Sequence, residues 1–110
     1  MYVYVRLRLY FIYILRCEDN SLYTGITTDV HRRFKEHTAD KVKGAKYTKA
    51  HRPIKIEAVW ETDTKANALR VECYIKKLAK SEKEELISGS KSIGELILTI
   101  GEINVKRVKL

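Results

Sequence analysis

The stretch Tyr10–His37, YFIYILRCEDNSLYTGITTDVHRRFKEH, decides the fold. It opens on Ile, Leu and aromatic residues, passes through Glu18-Asp19-Asn20, resumes with Leu, Tyr and Thr as far as Gly25 and Ile26, and then takes on helical spacing. Apolar and aromatic runs on either side of acidic and amide turn residues read as an antiparallel hairpin over 9–16 and 21–26. The register of that hairpin matters. An odd loop such as 18–20 makes paired positions sum to an even number, which puts Tyr13 and Tyr23 on one sheet face; an even loop would separate them.

Downstream of the hairpin, Thr27, Thr28 and Asp29 are N-cap candidates for a helix ending near Thr38. At about 100° per residue, Val30, Arg33, Phe34 and His37 share one arc, so Arg33 and His37 are neighbours one turn apart beside the apolar face. Arg32, Lys35 and Glu36 then point elsewhere. Arg33 is the arginine expected to look inward.

Upstream, residues 1–9 alternate strictly between apolar positions and Tyr or Arg, the period of a strand. Joined to the hairpin they would span roughly 50 Å at ~3.3 Å per residue, longer than usual strands, so a break near Leu9 is predicted. Beyond the first helix, Lys41 to Arg52 (KVKGAKYTKAHR) is a basic loop with one helical turn at most, and Ile54 to Trp60 alternates as a third strand. Lysines interleaved with Tyr47 suit contact with a nucleic-acid backbone combined with base stacking, although a solvated loop has the same composition.

Thr62, Asp63 and Thr64 precede a second helix over 65–80, whose apolar stripe is Ala68, Val71, Ile75, Leu78 and Ala79. Glu72 sits on the edge of this stripe. A carboxylate there needs a partner: an internal arginine on a structural reading, a metal ion on a functional one. Ser81 and Glu84 offer a capping box for a third helix ending before Gly89. In the tail, Ser92 and Glu95 could cap another helix, but LILTI-GE-INVKRV is read in preference as a hairpin turning at Gly101.

The whole chain bounds these readings. Its 110 residues, 45% of them hydrophobic, suffice for one core without staples, organised as an N-terminal extension (1–9), a central domain (10–88) and a C-terminal extension (89–110). Lysine and arginine exceed the acids 22 to 14, a net charge of +8 that favours a polyanionic partner. Cys17 and Cys73 match no metal-ligand or redox spacing. The longest apolar run, Leu9 to Leu15, is far short of the ~20 residues that span a bilayer. A cytoplasmic protein with reduced thiols and no membrane association is the expectation.

At Tyr13, Tyr23-Thr24-Gly25, Arg33, His37 and Glu72 the chain resembles the GIY-YIG nuclease superfamily, and more closely its small stand-alone bacterial and archaeal branch. The words that carry the resemblance are FIYILRCEDNSLYTGITTDVHRRFKEH, KGAKYTKAHRP and ALRVECYIKKLAKSEKEELI, covering about Tyr10 to Ile87. The resemblance implies a three-stranded antiparallel sheet flanked by helices, an α+β fold with an added N-terminal strand or arm and a C-terminal hairpin or helix. It implies hydrolysis of DNA phosphodiesters assisted by one divalent metal, Mg²⁺ or Mn²⁺. Tyr13 and Tyr23 would be the paired motif tyrosines, Gly25 the closing glycine, Arg33 the motif arginine, His37 the residue where relatives place His or Tyr, and Glu72 the metal ligand. One departure is Phe11, which stands where the first motif has glycine.

The side chains suit that chemistry. Deprotonating a tyrosine of ordinary pKa ~10 at pH 7 costs roughly 4 kcal/mol, so a cation or metal-bound hydroxide must assist. Arg33 can hold a phosphate through two hydrogen bonds, and a single carboxylate suits Mg²⁺ that keeps most of its waters. Tyr13, Tyr23 and His37 all remain candidates for activating water. Lys41, Lys43, Lys46, Tyr47, Lys49 and Arg52 are the expected DNA contacts, on branched, damaged or single-stranded substrates. Two rivals are a nucleic-acid-binding module of the same fold without turnover, and an interaction protein that pairs through exposed strand edges.

Overall fold

In a computed structural model, residues 8–39, 44–97, 101 and 103–110 are described. Strand β1 (Tyr10–Cys17) and strand β2 (Leu22–Thr27) form the hairpin. Its loop is Glu18–Asn20: Asn20 donates its N–H to the Cys17 carbonyl and adopts φ 68°, a left-handed conformation that asparagine tolerates, and Cys17 N–H reaches Ser21 O. Three loop residues set Tyr13 opposite Gly25 and Leu15 opposite Tyr23, so the two tyrosines share a face.

Helix α1 (Val30–Ala39) follows, its first turn capped by Asp29, whose carboxylate accepts from Arg32 N–H at 3.1 Å. The basic segment contributes a short helix, α2 (Lys46–Ala50), before strand β3 (Pro53–Thr62) returns antiparallel to β1. Helices α3 (Lys65–Lys77), α4 (Lys80–Ser88) and α5 (Ile93–Leu96) come next, and strand β4 (Val105–Val108) completes a sheet of order β2-β1-β3-β4. The mixed α/β class and the antiparallel sheet flanked by helices are as the sequence implies, with one strand more than the three expected. The N-terminal strand expected over 1–9 lies, up to residue 7, outside the described residues.

Strand β1 is buried on both faces, which explains its unbroken apolar run. Ile12 and Ile14 pack with Ala58 and Trp60 of β3, Ala68, Val71 and Ile75 of α3, Leu86 of α4, Ile93 and Ile97. On the other face Tyr13, Leu15 and Val59 meet Phe11, Tyr23, Ile56, Val108 and the Val30 and Phe34 side chains of α1. Full burial of each aliphatic side chain contributes roughly 1.5–3 kcal/mol, so β1 is the strand to which both layers are fastened.

Two local expectations are corrected. The second helix stops at Lys77 rather than Lys80, because Leu78 turns to extended backbone and Ala79 becomes the cap of α4. The Ser81–Glu84 box does not form: Glu82 accepts from Ala79 N–H at 2.9 Å, and Glu84 is drawn to Arg16 instead. In the tail, residues 98–100 and 102 of the hairpin expected between LILTI and INVKRV lie outside the described residues. Ser92 and Glu95 cap α5 reciprocally, and Val105–Val108 pairs with the outer edge of β3, whose backbone groups would otherwise lack partners.

Arg16 is the internal arginine of this fold. Its guanidinium, 15% exposed, donates to Glu57 of β3 at 2.8 and 3.1 Å and to Glu84 of α4, tying three elements together. Burial pushes the Glu57 carboxyl up, but hydrogen bonds from Arg16 and Lys55 outweigh it; Glu84 is lowered chiefly by Arg16. Carboxylates held below their ordinary value stabilise the fold above that value, and the stabilisation is lost as pH falls through the lowered folded pKa values. Arg16→Ala is therefore expected to cost roughly 2–3 kcal/mol in urea unfolding at pH 7, with the gap to the parent narrowing below about pH 4. A gap independent of pH would show that Arg16 acts by packing alone.

Candidate active site

The second face of β1 presents the site. Tyr13 is 2% exposed, and its ring lies over the backbone of Gly25 on the neighbouring strand. A Cβ on Gly25 would stand 2.5 Å from the Tyr13 hydroxyl and 2.6 Å from Cζ, so any side chain there must displace the tyrosine. Tyr23, two residues before the glycine, packs tilted against Tyr13 with ring centroids 6.2 Å apart.

Helix α1 closes over these rings. His37 is buried in its last turn, edge-on to Tyr23 at 5.1 Å, with Nε2 2.8 Å from the Tyr13 hydroxyl and Nδ1 2.8 Å from Thr48 Oγ1 of α2. One turn earlier Arg33 donates to Glu36 at 3.1 Å and also reaches the Tyr13 hydroxyl by hydrogen bond. Glu36 does not point away as the sequence reading had it; its carboxylate turns back to Arg33 and is 21% exposed. A cation at the rim of a buried site draws the nearby acid in.

The electrostatics follow from burial and from that cation. Burial pushes the Tyr13 phenol well up, as does neighbouring Tyr23, while Arg33 opposes the rise. The Tyr23 phenol is raised less strongly, again by burial first and with Arg33 opposing. Burial, reinforced by Arg33, lowers His37 to about 4, so its imidazole is neutral at pH 7. Glu72, 18% exposed on α3, lies within electrostatic reach of both tyrosines. Its ammonium neighbour is Lys76 of the next turn at 3.7 Å, and the internal arginine is committed to Glu57 and Glu84.

From the buried tyrosine a row of rings leads outward. Tyr47 of α2 stacks on Tyr23 at 5.8 Å and on His51 at 4.1 Å, and His51 Nδ1 is held by the Asp19 carboxylate of the hairpin loop. Lys46 and Lys49 are exposed on the same helix. Arg52 is exposed as well and pairs loosely with Glu18 at 3.5 Å. Lys41 and Lys43 lie outside the described residues. Sequence reasoning passed over Thr48 and His51; the Tyr47–His51 spacing of one helical turn was the available signal.

Among the described residues no group of three or more His, Cys, Asp or Glu side chains could hold a metal, and no helix is long and apolar enough to cross a membrane. A donor set of one carboxylate oxygen pair fits a hard, largely hydrated cation rather than a caged one.

The fold is thus a small antiparallel sheet flanked by helices, with two tyrosines, a histidine and an arginine set against one another on one face and a carboxylate at the rim. The chain belongs to the GIY-YIG family: the model of the GIY-YIG catalytic domain matches residues 9–85. It is 42% identical over 99 residues to the UPF0213 protein FN1575 of Fusobacterium nucleatum, covering 90% of this chain and 97% of that one. It is 40% identical to the UPF0213 protein YazA of Bacillus subtilis, over 80% of this chain and 87% of that one. A solution NMR structure of the UPF0213 protein BH0048 from Bacillus halodurans is 40% identical, with a TM-score of 0.48 over 84% of this chain and 97% of that one.

Two outcomes follow from this geometry. Gly25→Ala should lower stability by about 1–3 kcal/mol through overpacking and shift the His37 ring resonances as Tyr13 is displaced; an unmoved His37 spectrum would contradict the close approach. For a histidine whose folded pKa lies below its unfolded ~6.5, stability is present above 6.5 and is lost as pH falls toward 4. The loss is on the order of 2–3 kcal/mol, and His37→Gln should flatten that part of the pH–stability curve measured by thermal unfolding.

Proposed function

We propose that this chain is a nuclease that hydrolyses phosphodiester bonds in DNA with the help of one divalent cation, Mg²⁺ or Mn²⁺. The observation that carries the reading is the buried 2.8 Å hydrogen bond between the Tyr13 hydroxyl and His37 Nε2, beside Arg33 and with Glu72 at the rim. Any buried phenol hydroxyl needs a hydrogen-bond partner. A neutral imidazole in that place can in addition take the phenolic proton.

The side chains divide the work as follows. Arg33 holds the scissile phosphate and opposes charge building on it. Tyr13 draws a proton from the attacking water while its own proton passes to His37 Nε2, so no isolated phenolate forms in a site whose burial disfavours one. Tyr23 packs against both rings and shields the transfer from bulk solvent. Glu72 would hold the cation, which when bound supplies stabilisation of the leaving oxygen. Lys46, Tyr47, Lys49 and Arg52, with Lys41 and Lys43 of the same basic segment, would follow the DNA backbone, which accords with the net charge of +8.

The alternative is a DNA-binding module of the same fold without turnover. Exposed Tyr47 and its flanking lysines favour it equally, because they serve binding whether or not cleavage follows.

Glu72→Gln keeps shape and removes charge, so it should retain the melting temperature and DNA affinity while cleavage of branched, nicked, single-stranded and duplex DNA in Mg²⁺ or Mn²⁺ falls at least ~10²-fold. A parent that cuts none of these while binding them establishes the module instead. Binding should also weaken with salt by a slope of about 0.7–0.9 per phosphate contacted, and Lys46→Ala with Lys49→Ala should reduce that slope. Affinity flat in salt would point to a protein partner.

A further inference from the structure

Thr48 belongs to no part of the chemistry assigned so far, yet its side chain is 3% exposed and bonded on both sides. The hydroxyl has one hydrogen. It lies 2.9 Å from the Ala45 carbonyl oxygen, which can only accept, and 2.8 Å from His37 Nδ1. Were that hydrogen directed at His37, two oxygen lone pairs would face each other at 2.9 Å inside the protein; directed at Ala45, it leaves an Oγ lone pair for His37. Nδ1 must then carry the imidazole hydrogen, and in a neutral ring Nε2 carries none. The opposite end of the chain has the same polarity. Arg33 can only donate to the Tyr13 hydroxyl, which frees the phenolic hydrogen for Nε2.

We infer that Thr48 is a positioning residue that holds His37 as the Nδ1–H tautomer, so that Nε2 is always the proton acceptor facing Tyr13. The whole chain then runs in one direction: Arg33 N–H to Tyr13 Oη, Tyr13 O–H to His37 Nε2, His37 Nδ1–H to Thr48 Oγ1, Thr48 O–H to Ala45 O. Each bond polarises the next. A histidine side chain free in water prefers the Nε2–H form, which would turn a hydrogen toward Tyr13 and block the acceptor. When His37 takes the Tyr13 proton at Nε2, the Nδ1–H to Thr48 bond persists and the cation that forms keeps a partner on both nitrogens. The inference rests on the nuclease reading only for its catalytic consequence; the tautomer itself is a property of the folded chain.

The test uses the full chain with ¹⁵N-labelled histidine. Long-range ¹H–¹⁵N spectra at pH 7 should show His37 Nδ1 protonated and Nε2 bare; a wild-type His37 protonated at Nε2 overturns the inference without any variant. Thr48→Val keeps the volume and loses the hydroxyl, and should release His37 toward the Nε2–H form and lower kcat about 10- to 100-fold at unchanged KM for DNA. Thr48→Ser, which restores the hydroxyl, should recover both. A Thr48→Val protein that keeps the Nδ1–H form and full kcat, losing only melting temperature, reduces Thr48 to a packing residue and overturns the inference. Should the parent cut no DNA, the nuclease reading falls, and the tautomer spectra of parent, Val and Ser proteins still decide the role of Thr48.

Discussion

The constraint on which everything else depends is the close approach of the Tyr13 ring to the backbone of Gly25. It requires a glycine at one position of β2, and it requires β1 and β2 to pair with positions summing to 38. The three-residue loop with Asn20 in the left-handed region supplies that register, and a loop one residue longer or shorter would send Tyr23 to the opposite face. With the register set, Tyr13 lies flat enough for α1 to descend on it and for His37 to reach its hydroxyl. The site is thus a property of one hairpin, completed by three helices.

Burial then gives these groups their chemical character. A phenol and an imidazole taken out of water are both driven toward their neutral forms, the phenol by a rise and the imidazole by a fall. Two neutral groups joined by one hydrogen bond can exchange a proton without either being charged beforehand. Arg33 reaches both groups: it eases loss of the phenolic proton from Tyr13 and disfavours a charged imidazole at His37. Glu36 keeps the guanidinium in place, as its pairing at 3.1 Å shows.

What could be read from the sequence was local. The hairpin, the helical phase of Arg33 and His37 and the edge position of Glu72 each depend on spacings of a few residues, where period and turn chemistry act directly. What escaped was set by distant partners. Glu84 looked like a capping residue until Arg16, 68 positions earlier, claimed it. Leu78 and Ala79 are good helix formers, yet the chain breaks there because α4 must pack Leu86 onto the same core that α3 serves. Thr48 carried no periodic signal; its importance comes from standing 2.8 Å from a histidine that lies 11 positions away.

The two faces of β1 also differ in what light they absorb. Trp60, the chain's one tryptophan, is buried in the α3–α4–α5 layer with the Arg107 guanidinium 5.1 Å from its ring centre, whereas Tyr13, Tyr23 and Tyr47 gather on the opposite side. Emission excited in the tryptophan band accordingly follows the docking of β4 and the helices, whereas tyrosine spectra mix both faces, because Tyr10 and Tyr74 pack on the tryptophan side. The tryptophan alone therefore reports the state of the scaffold apart from that of the site.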